Sequence, residues 1–290
     1  MNIYPNSNEN NEIVFVGFGL STALLVISLL KQGFKKKILI LEKSLCADEN
    51  KTWCFWNNKI IPDYLRDIID YEWKGWSVSY QGKIKTQKSD KDNQYMGIKS
   101  KTFFDFAKKI ISDHENVTIC YESNVASITE ENEFLRIHCT DKIFTTQYCF
   151  DSRYKRPAIK HLSQDFIGLW VEADEVLFDF NIAGLMLDLK CNNGITFDYI
   201  LPISRNKFLI EFTRFTKDNF DLEHLEKEVY SSLDKYLKNK NFKILGSEYG
   251  SLPLNPLDKK HSSKRIKYSG IAAGNIRGST GYSFLVNCRW

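Results

Sequence analysis

Histidine is scarce in this 290-residue chain: there are five, with no paired spacing, and the seven cysteines (Cys46, Cys54, Cys120, Cys139, Cys149, Cys191 and Cys288) contain no C-x-x-C pair. Zinc-type ligand sets need such pairs at fixed spacing, so no metal site is expected. An odd set of scattered cysteines also argues against a disulfide framework and for the reduced thiols of a cytoplasmic protein. Extended blocks of like charge are missing as well. The 40 Lys and Arg against 36 Asp and Glu leave a net charge of +4, with no glycine-rich basic arm, which excludes the electrostatic footprint of a nucleic-acid binder. One uncharged run of 18 residues, Ile13 to Leu30, is long enough to suggest a membrane span. It is broken by Gly17, Gly19, Ser21, Thr22 and Ser28, and it changes from β-branched to helical patterning midway, so a span is excluded. The preceding NIYPNSNENNE is polar and acidic rather than basic, which excludes a signal peptide.

What is present is organised around the stretch from Ile13 to Glu42. Ile13 to Val16 reads as a strand, Gly17 and Gly19 as a turn, Leu20 to Gln32 as a helix stopped by Gly33, and Lys37 to Leu41 as a second strand. In such a unit the first glycine permits a tight turn and the second lets backbone approach a pyrophosphate. That group would sit on the unpaired N–H groups and positive dipole end of the helix. Glu42, 23 residues after Gly19, closes the second strand where a carboxylate accepts hydrogen bonds from a ribose. The pattern departs from G-x-G-x-x-G at Thr22, which holds the place of the third glycine.

Downstream, KSLCADENKTWCFWNN has neither helical nor strand period and is expected to be a loop packed over the nucleotide site. Trp73 to Gly82 and Lys83 to Thr86 read as a hairpin turning at Gly82. Ser100 is the expected N-cap of an amphipathic helix from Lys101 to Asp113, with Phe103, Phe104, Phe106, Ile110 and Ile111 as its buried stripe. A strand at Val117 to Tyr121 follows. Three further β runs between Val125 and Phe150 then form an antiparallel insertion ending in Asp151-Ser152-Arg153, at a strand end where open α/β sheets place ligands; a satisfied turn is the competing reading of that cluster. Four strand-like runs lie between Phe166 and Phe215, a helix is expected over Leu222 to Asn239, and Ile271 to Ala273 reads as a strand leading into Gly274 and Ser279-Thr280-Gly281-Tyr282.

Together these elements predict an α/β fold: a Rossmann-like nucleotide domain over residues 1–165 and 262–290, with a β insertion at about 72–96 and 117–150, interleaved with an antiparallel-sheet substrate domain over 166–261. The 20 Phe, 14 Tyr and 6 Trp supply a core and would also suit a long apolar substrate. Alternation in Lys207 to Thr213 places Leu209, Glu211 and Thr213 on one face and Phe208, Ile210 and Phe212 on the other. Glu211 either meets solvent or lines a pocket where desolvation raises its proton affinity, and Asp188 in LMLDLK poses the same question.

The GFG turn with Glu42, NKTWCFW at Asn50 to Trp56, FDSR at Phe150 to Arg153, LPIS…FLIEFT at Leu201 to Thr213 and GIAAG…STGY at Gly270 to Tyr282 resemble, in order, the flavin-dependent lycopene cyclase family of the bacterial β-cyclase type. The resemblance implies FAD as the nucleotide, reduced by NADPH or NADH, and the non-redox closure of the ends of lycopene, or a related acyclic carotenoid, to β-ionone rings. It implies that Glu211 is the catalytic acid/base, with Asp188 in a supporting role; protonating an alkene calls for an acid kept neutral near pH 7, as burial among Phe208, Phe212 and Phe215 would allow if the fold closes around it. Gly17, Gly19, Thr22, Glu42, Lys43, Thr52, Trp53, Asp151, Gly274, Ser279, Thr280 and Gly281 are the positions it assigns to the cofactor. A hydrocarbon substrate implies a cytoplasmic enzyme peripherally associated with a membrane surface. Gly278 stands where the family commonly has proline before Ser-Thr-Gly-Tyr. Family members also continue beyond the STGY helix with helices that enclose the substrate, whereas this chain stops at Trp290. A related FAD-dependent hydroxylase or polyprenyl reductase, and an inactive truncated carotenoid-binding homologue, are the rival readings.

Overall fold

The computed structural model describes residues 10–47, 50–90, 92–155, 161–192, 194–255 and 263–289. Its first sheet has a parallel centre: β1 (Asn10–Val16) lies between β2 (Ile38–Leu41) and β11 (Ile143–Asp151), with β8 (Val117–Cys120) outside β2 and β17 (Ile266–Tyr268) on β11. β10 (Leu135–Cys139) and β9 (Val125–Glu130) extend it antiparallel beyond β11, as the alternating runs predict. Helix α1 (Leu20–Lys31) follows β1 and stops at Gly33, whose φ of +80° suits glycine. Alternation divides the sheet between two cores. Ile13 and Phe15 pack with α1 and with α3 (Ser100–Ser112), while Val14 and Val16 pack with Leu135, Ile137 and Phe144.

The second sheet runs β16 (Phe242–Pro253), β12 (Ser163–Ala173), β15 (Lys207–Thr216), β14 (Ile195–Pro202), β13 (Ile182–Lys190), β5 (Gly75–Tyr80) and β6 (Lys83–Lys88). All its pairings are antiparallel except β13 with β5. The hairpin near residues 75–88 thus hydrogen-bonds into the second sheet and not into the first. Helix α4 (Leu222–Leu237) covers one face, setting Leu225, Val229 and Leu233 on Val171, Phe208, Ile210 and Phe212. The other face meets a three-stranded sheet of β3 (Thr52–Trp56), β7 (Tyr95–Lys99) and β4 (Tyr71–Trp73). Two short helices, α2 (Asp63–Arg66) and α5 (Phe284–Asn287), complete the chain.

Three local expectations are corrected. Thr52 to Trp56, read as loop, is a strand because it pairs with Tyr95 to Lys99, a partner some 40 residues away that no local period reveals; residues 48–49 of the same stretch lie outside those described. Ser100 is not the N-cap of α3: Lys99 holds that place, and the buried Ser100 hydroxyl accepts the Lys51 backbone N–H at 2.8 Å. Ile271 to Ala273 is a 3₁₀ turn bracketed by Gly270 and Gly274, with φ of +60° and +78°, and the strand expected there is β17, a few residues earlier. The expected domain boundary at 261/262 also falls outside the described residues.

Candidate active site

The turn expected to cradle a nucleotide lies at the C-terminal ends of the parallel strands β1 and β2. Gly17 has φ +93°, and a Cβ there would lie 2.3 Å from Ser152 Oγ, so only glycine lets β1 turn beside β11. Ser152 Oγ donates to the Val16 carbonyl at 2.6 Å, which ties the two strand tips together. Gly19, the N-cap of α1, has open space where a side chain would be, and no side chain caps the helix. Glu42 reaches back across the turn, accepting the Phe18 N–H at 2.7 Å and the Ser44 N–H at 2.9 Å. A carboxylate has about four acceptor sites, so capacity remains for a ribose hydroxyl. Thr22, in the first turn of α1, is fully buried with its hydroxyl unpartnered. The hydroxyls of Ser269 and Thr280, one just before and one near the end of the Gly270–Gly281 segment that packs on α1 through Gly270 and Ser21, are also buried and unpartnered. An uncapped helix start, an open glycine and orphaned hydroxyls fit a dinucleotide and its pyrophosphate.

Other residues assigned to the cofactor are placed differently. Asp151 spends both carboxylate oxygens on Arg153, at 2.9 Å to Nε and to Nη2, which favours the satisfied-turn reading of that cluster. Trp53 packs edge-on against Phe103 and Phe104, with ring centroids 5.4 and 5.9 Å away. Lys43, Gly274 and Ser279 are exposed. Gly281 is buried with φ +72°, a left-handed backbone conformation that favours glycine in the STGY turn. Thr52 donates its hydroxyl at 3.3 Å to Glu248 Oε2, on the second sheet.

That bond leads to the other half of the site, between the second sheet and the three-stranded sheet. Glu211 faces this layer as strand parity predicts, buried, accepting a hydrogen bond from Thr213 Oγ1 at 2.6 Å. Burial pushes its carboxyl up to about 7 against the opposing pull of the Thr213 hydroxyl. Tyr199 of β14 pairs with it across the sheet, Tyr282 of the STGY turn, Cys54 and Glu248 lie within reach of its charge, and the layer on this face also holds Trp73 and Tyr95 of the small sheet. Tyr95 Oη lies 2.5 Å from Tyr199 Oη and 2.9 Å from Tyr282 Oη, a phenol chain linking the second sheet to the segment beside the cradle. Trp56 stands 4.8 Å from Tyr95 by ring centroids.

Two expectations about Glu211 are revised by this placement. Phe208 and Phe212 do not surround it, because odd and even positions of β15 face opposite ways and these two pack under α4. Asp188 does not join it either. With φ +48°, Asp188 ion-pairs with Lys235 of α4 at 2.7 Å and with Lys190 at 3.4 Å, on the opposite face of the sheet. Glu248, Tyr95 and Tyr199 are the groups that reading the sequence missed. Glu248 is the first buried residue of a strand exposed at nearly every earlier position, so no periodicity marks it; only its pairing partner β12 turns it inward.

Comparison of structures places this architecture. The chain superposes on a geranylgeranyl bacteriochlorophyll reductase-like protein from Thermoplasma acidophilum with TM-score 0.67 and 13% identity, covering 97% of this chain and 76% of that one. It superposes on PqsL, a probable FAD-dependent monooxygenase from Pseudomonas aeruginosa, with TM-score 0.66 and 11% identity, covering 97% and 84%. The fold is therefore one shared with a reductase-like protein and with a probable FAD-dependent monooxygenase. Sequence comparison narrows it. Residues 12–289 match the family described as lycopene cyclase protein, and the chain belongs to that family. A lycopene beta-cyclase from Pantoea ananas is 24% identical over 282 residues, 94% of this chain and 70% of that protein.

Proposed function

We propose that the chain is a lycopene β-cyclase: an intramolecular lyase of the isomerase type that closes the ends of an acyclic carotenoid into β-ionone rings with no net redox change. The observation that carries this reading is Glu211, a carboxyl held proton-rich near neutrality by burial in an aromatic layer. Protonating an unactivated alkene needs a carboxylic acid that stays neutral, and the cation so formed needs electron-rich surroundings with no water to quench it. Tyr95, Tyr199, Tyr282 and the nearby tryptophans supply such surroundings. Gly17, Gly19, the first turn of α1 and Glu42 would hold FAD. Reduced FAD, with NADPH or NADH as the electron source, supplies an electron-rich ring system that stabilises nearby positive charge.

The remaining chemistry falls to the chain's own groups. Glu211 donates a proton to the terminal alkene, the aromatic faces shield the tertiary cation, and the second alkene adds to it. One carbon–carbon σ bond thus replaces one π bond. The proton lost in restoring the ring alkene equals the one supplied, so the composition of the substrate is unchanged. A hydrocarbon substrate dissolves in lipid, which supports peripheral association with a membrane surface in the cytoplasm; among the described residues no helix is long and apolar enough to cross one. The likeness to reductase and monooxygenase folds favours a second reading, a redox flavoenzyme acting on a polyprenyl chain.

Expression in lycopene-accumulating cells with chromatography of the pigments separates the two. Cyclic carotenes that disappear in Glu211→Gln support the cyclase. A flavin-loaded protein that leaves lycopene intact, or returns a reduced or hydroxylated product, sinks it.

A further inference from the structure

Tyr199, Glu211, Gly168 and Glu248 lie in one row across β14, β15, β12 and β16. Two strand spacings put the Glu211 and Glu248 backbones roughly 10 Å apart, near enough for side chains to converge over the residue between them. That residue has no side chain. A Cβ at Gly168 would lie 2.9 Å from Leu209 Cδ1, 3.4 Å from Glu248 Cγ and 3.5 Å from Glu211 Cβ, so the stems of both glutamates border the glycine, with a leucine methyl between them. Glu248 is buried, although its strand is an edge with Ile244, Leu245 and Tyr249 exposed. An isolated carboxylate in such a place is costly unless it is protonated or paired.

We propose that Glu248 is a positioning residue that acts through Glu211: beside Gly168 their charges oppose each other, so that the two carboxyls together keep one proton and the site presents a proton donor and a proton acceptor at once. The chemical use of the pair rests on the cyclase reading; the pairing itself does not. Cyclisation takes up one proton and releases one, and a singly protonated pair returns to its starting state after each closure. It needs no proton from solvent in between.

The groups facing the pair leave it as the pH-sensitive element. Lys51, before β3, is the cation among them and pulls Glu248 down. Burial holds Cys54 and Tyr282 up at about 12 and raises Tyr71, Tyr95 and Tyr199 above the usual phenol range, so all five are neutral at pH 7. Burial and the neighbouring Glu211 charge raise Glu248 to about 8, while Glu211 stands at about 7.

Infrared titration of the protonated-carboxyl band in the purified flavin-loaded protein tests this directly. Wild type is expected to release its last carboxyl proton near pH 8, and Glu248→Gln to keep one step near 7, with the alkaline limb of cyclisation falling by about one pH unit. Thr52→Val removes the hydroxyl that favours ionised Glu248 and moves the upper step to higher pH; it serves as the test if Glu248→Gln does not fold. A Glu248→Gln protein with the upper step unmoved and activity lowered equally at every pH overturns the proposal, as does a Thr52→Val titration identical to wild type. A two-step titration in a protein that does not cyclise lycopene upholds the pair and sinks the cyclase reading instead.

Discussion

Replacing Glu211 by Gln is expected to make the protein more stable in alkali while removing its activity. The folded state raises this carboxyl from its ordinary value of 4.5 to about 7 through burial. The proton is therefore bound more tightly in the fold than in the unfolded chain. Stability is fully present below 4.5 and drains away as the pH rises through about 7. At about 1.4 kcal/mol per pH unit, that span corresponds to about 3 kcal/mol lost once the carboxylate is ionised in place. Gln keeps the shape and the acceptor oxygen for Thr213 but carries no charge, so the loss vanishes. Removing the Glu211 charge also relieves Glu248, which it pushes up, and adds to the gain. Urea unfolding of wild type and Glu211→Gln at about pH 5 and about pH 8.5 reads the effect. Stabilities should agree to within about 1 kcal/mol at the lower pH, and the variant should lead by about 3 kcal/mol at the higher one. A variant no more stable than wild type in alkali, or a difference that does not change with pH, refutes the burial argument.

Gly17→Ala should abolish flavin absorbance in the purified protein and cost about 1–3 kcal/mol in thermal unfolding, because φ +93° and the approach of Ser152 Oγ at 2.3 Å both exclude a side chain. Lys235→Met should cost about 1–3 kcal/mol in urea unfolding, since buried Asp198 loses the ammonium at 2.9 Å and keeps only neutral donors, the Ser232 hydroxyl at 2.5 Å and the Tyr236 phenol. Asp188→Asn breaks part-exposed ion pairs with Lys190 and Lys235; it should cost less than about 1 kcal/mol and leave the pH profile of cyclisation where it is, and a moved profile would put Asp188 back in the site.

Much of the nucleotide half was legible because its signals are local. The apolar strand, the two glycines, the uncharged helix and the strand-end acid occur within 30 residues, and each is dictated by its own neighbours in the chain. The strands of the second sheet were legible for a similar reason: period-2 alternation in β15 put Glu211 on the face opposite Phe208, while what each face meets stayed open until the partners were known. Pairing between distant segments was not legible. β3 became a strand only by finding β7, and Ser100 left its cap to hold Lys51 because that pairing brought Lys51 near.

The sequence by itself thus determined that a strand, a glycine turn and a helix are built in succession from β1 and that Glu211 and Phe208 lie on opposite faces of one strand. Both follow from backbone geometry that repeats over two to four residues. Only the tertiary structure decided what lies against each face. It put α4 over the phenylalanines and the tyrosine chain over the glutamate, set Asp188 apart, and brought Glu248 beside Glu211 across a glycine. Burial and proton affinity depend on those long-range neighbours, and register between strands far apart in sequence is settled only when the whole sheet closes.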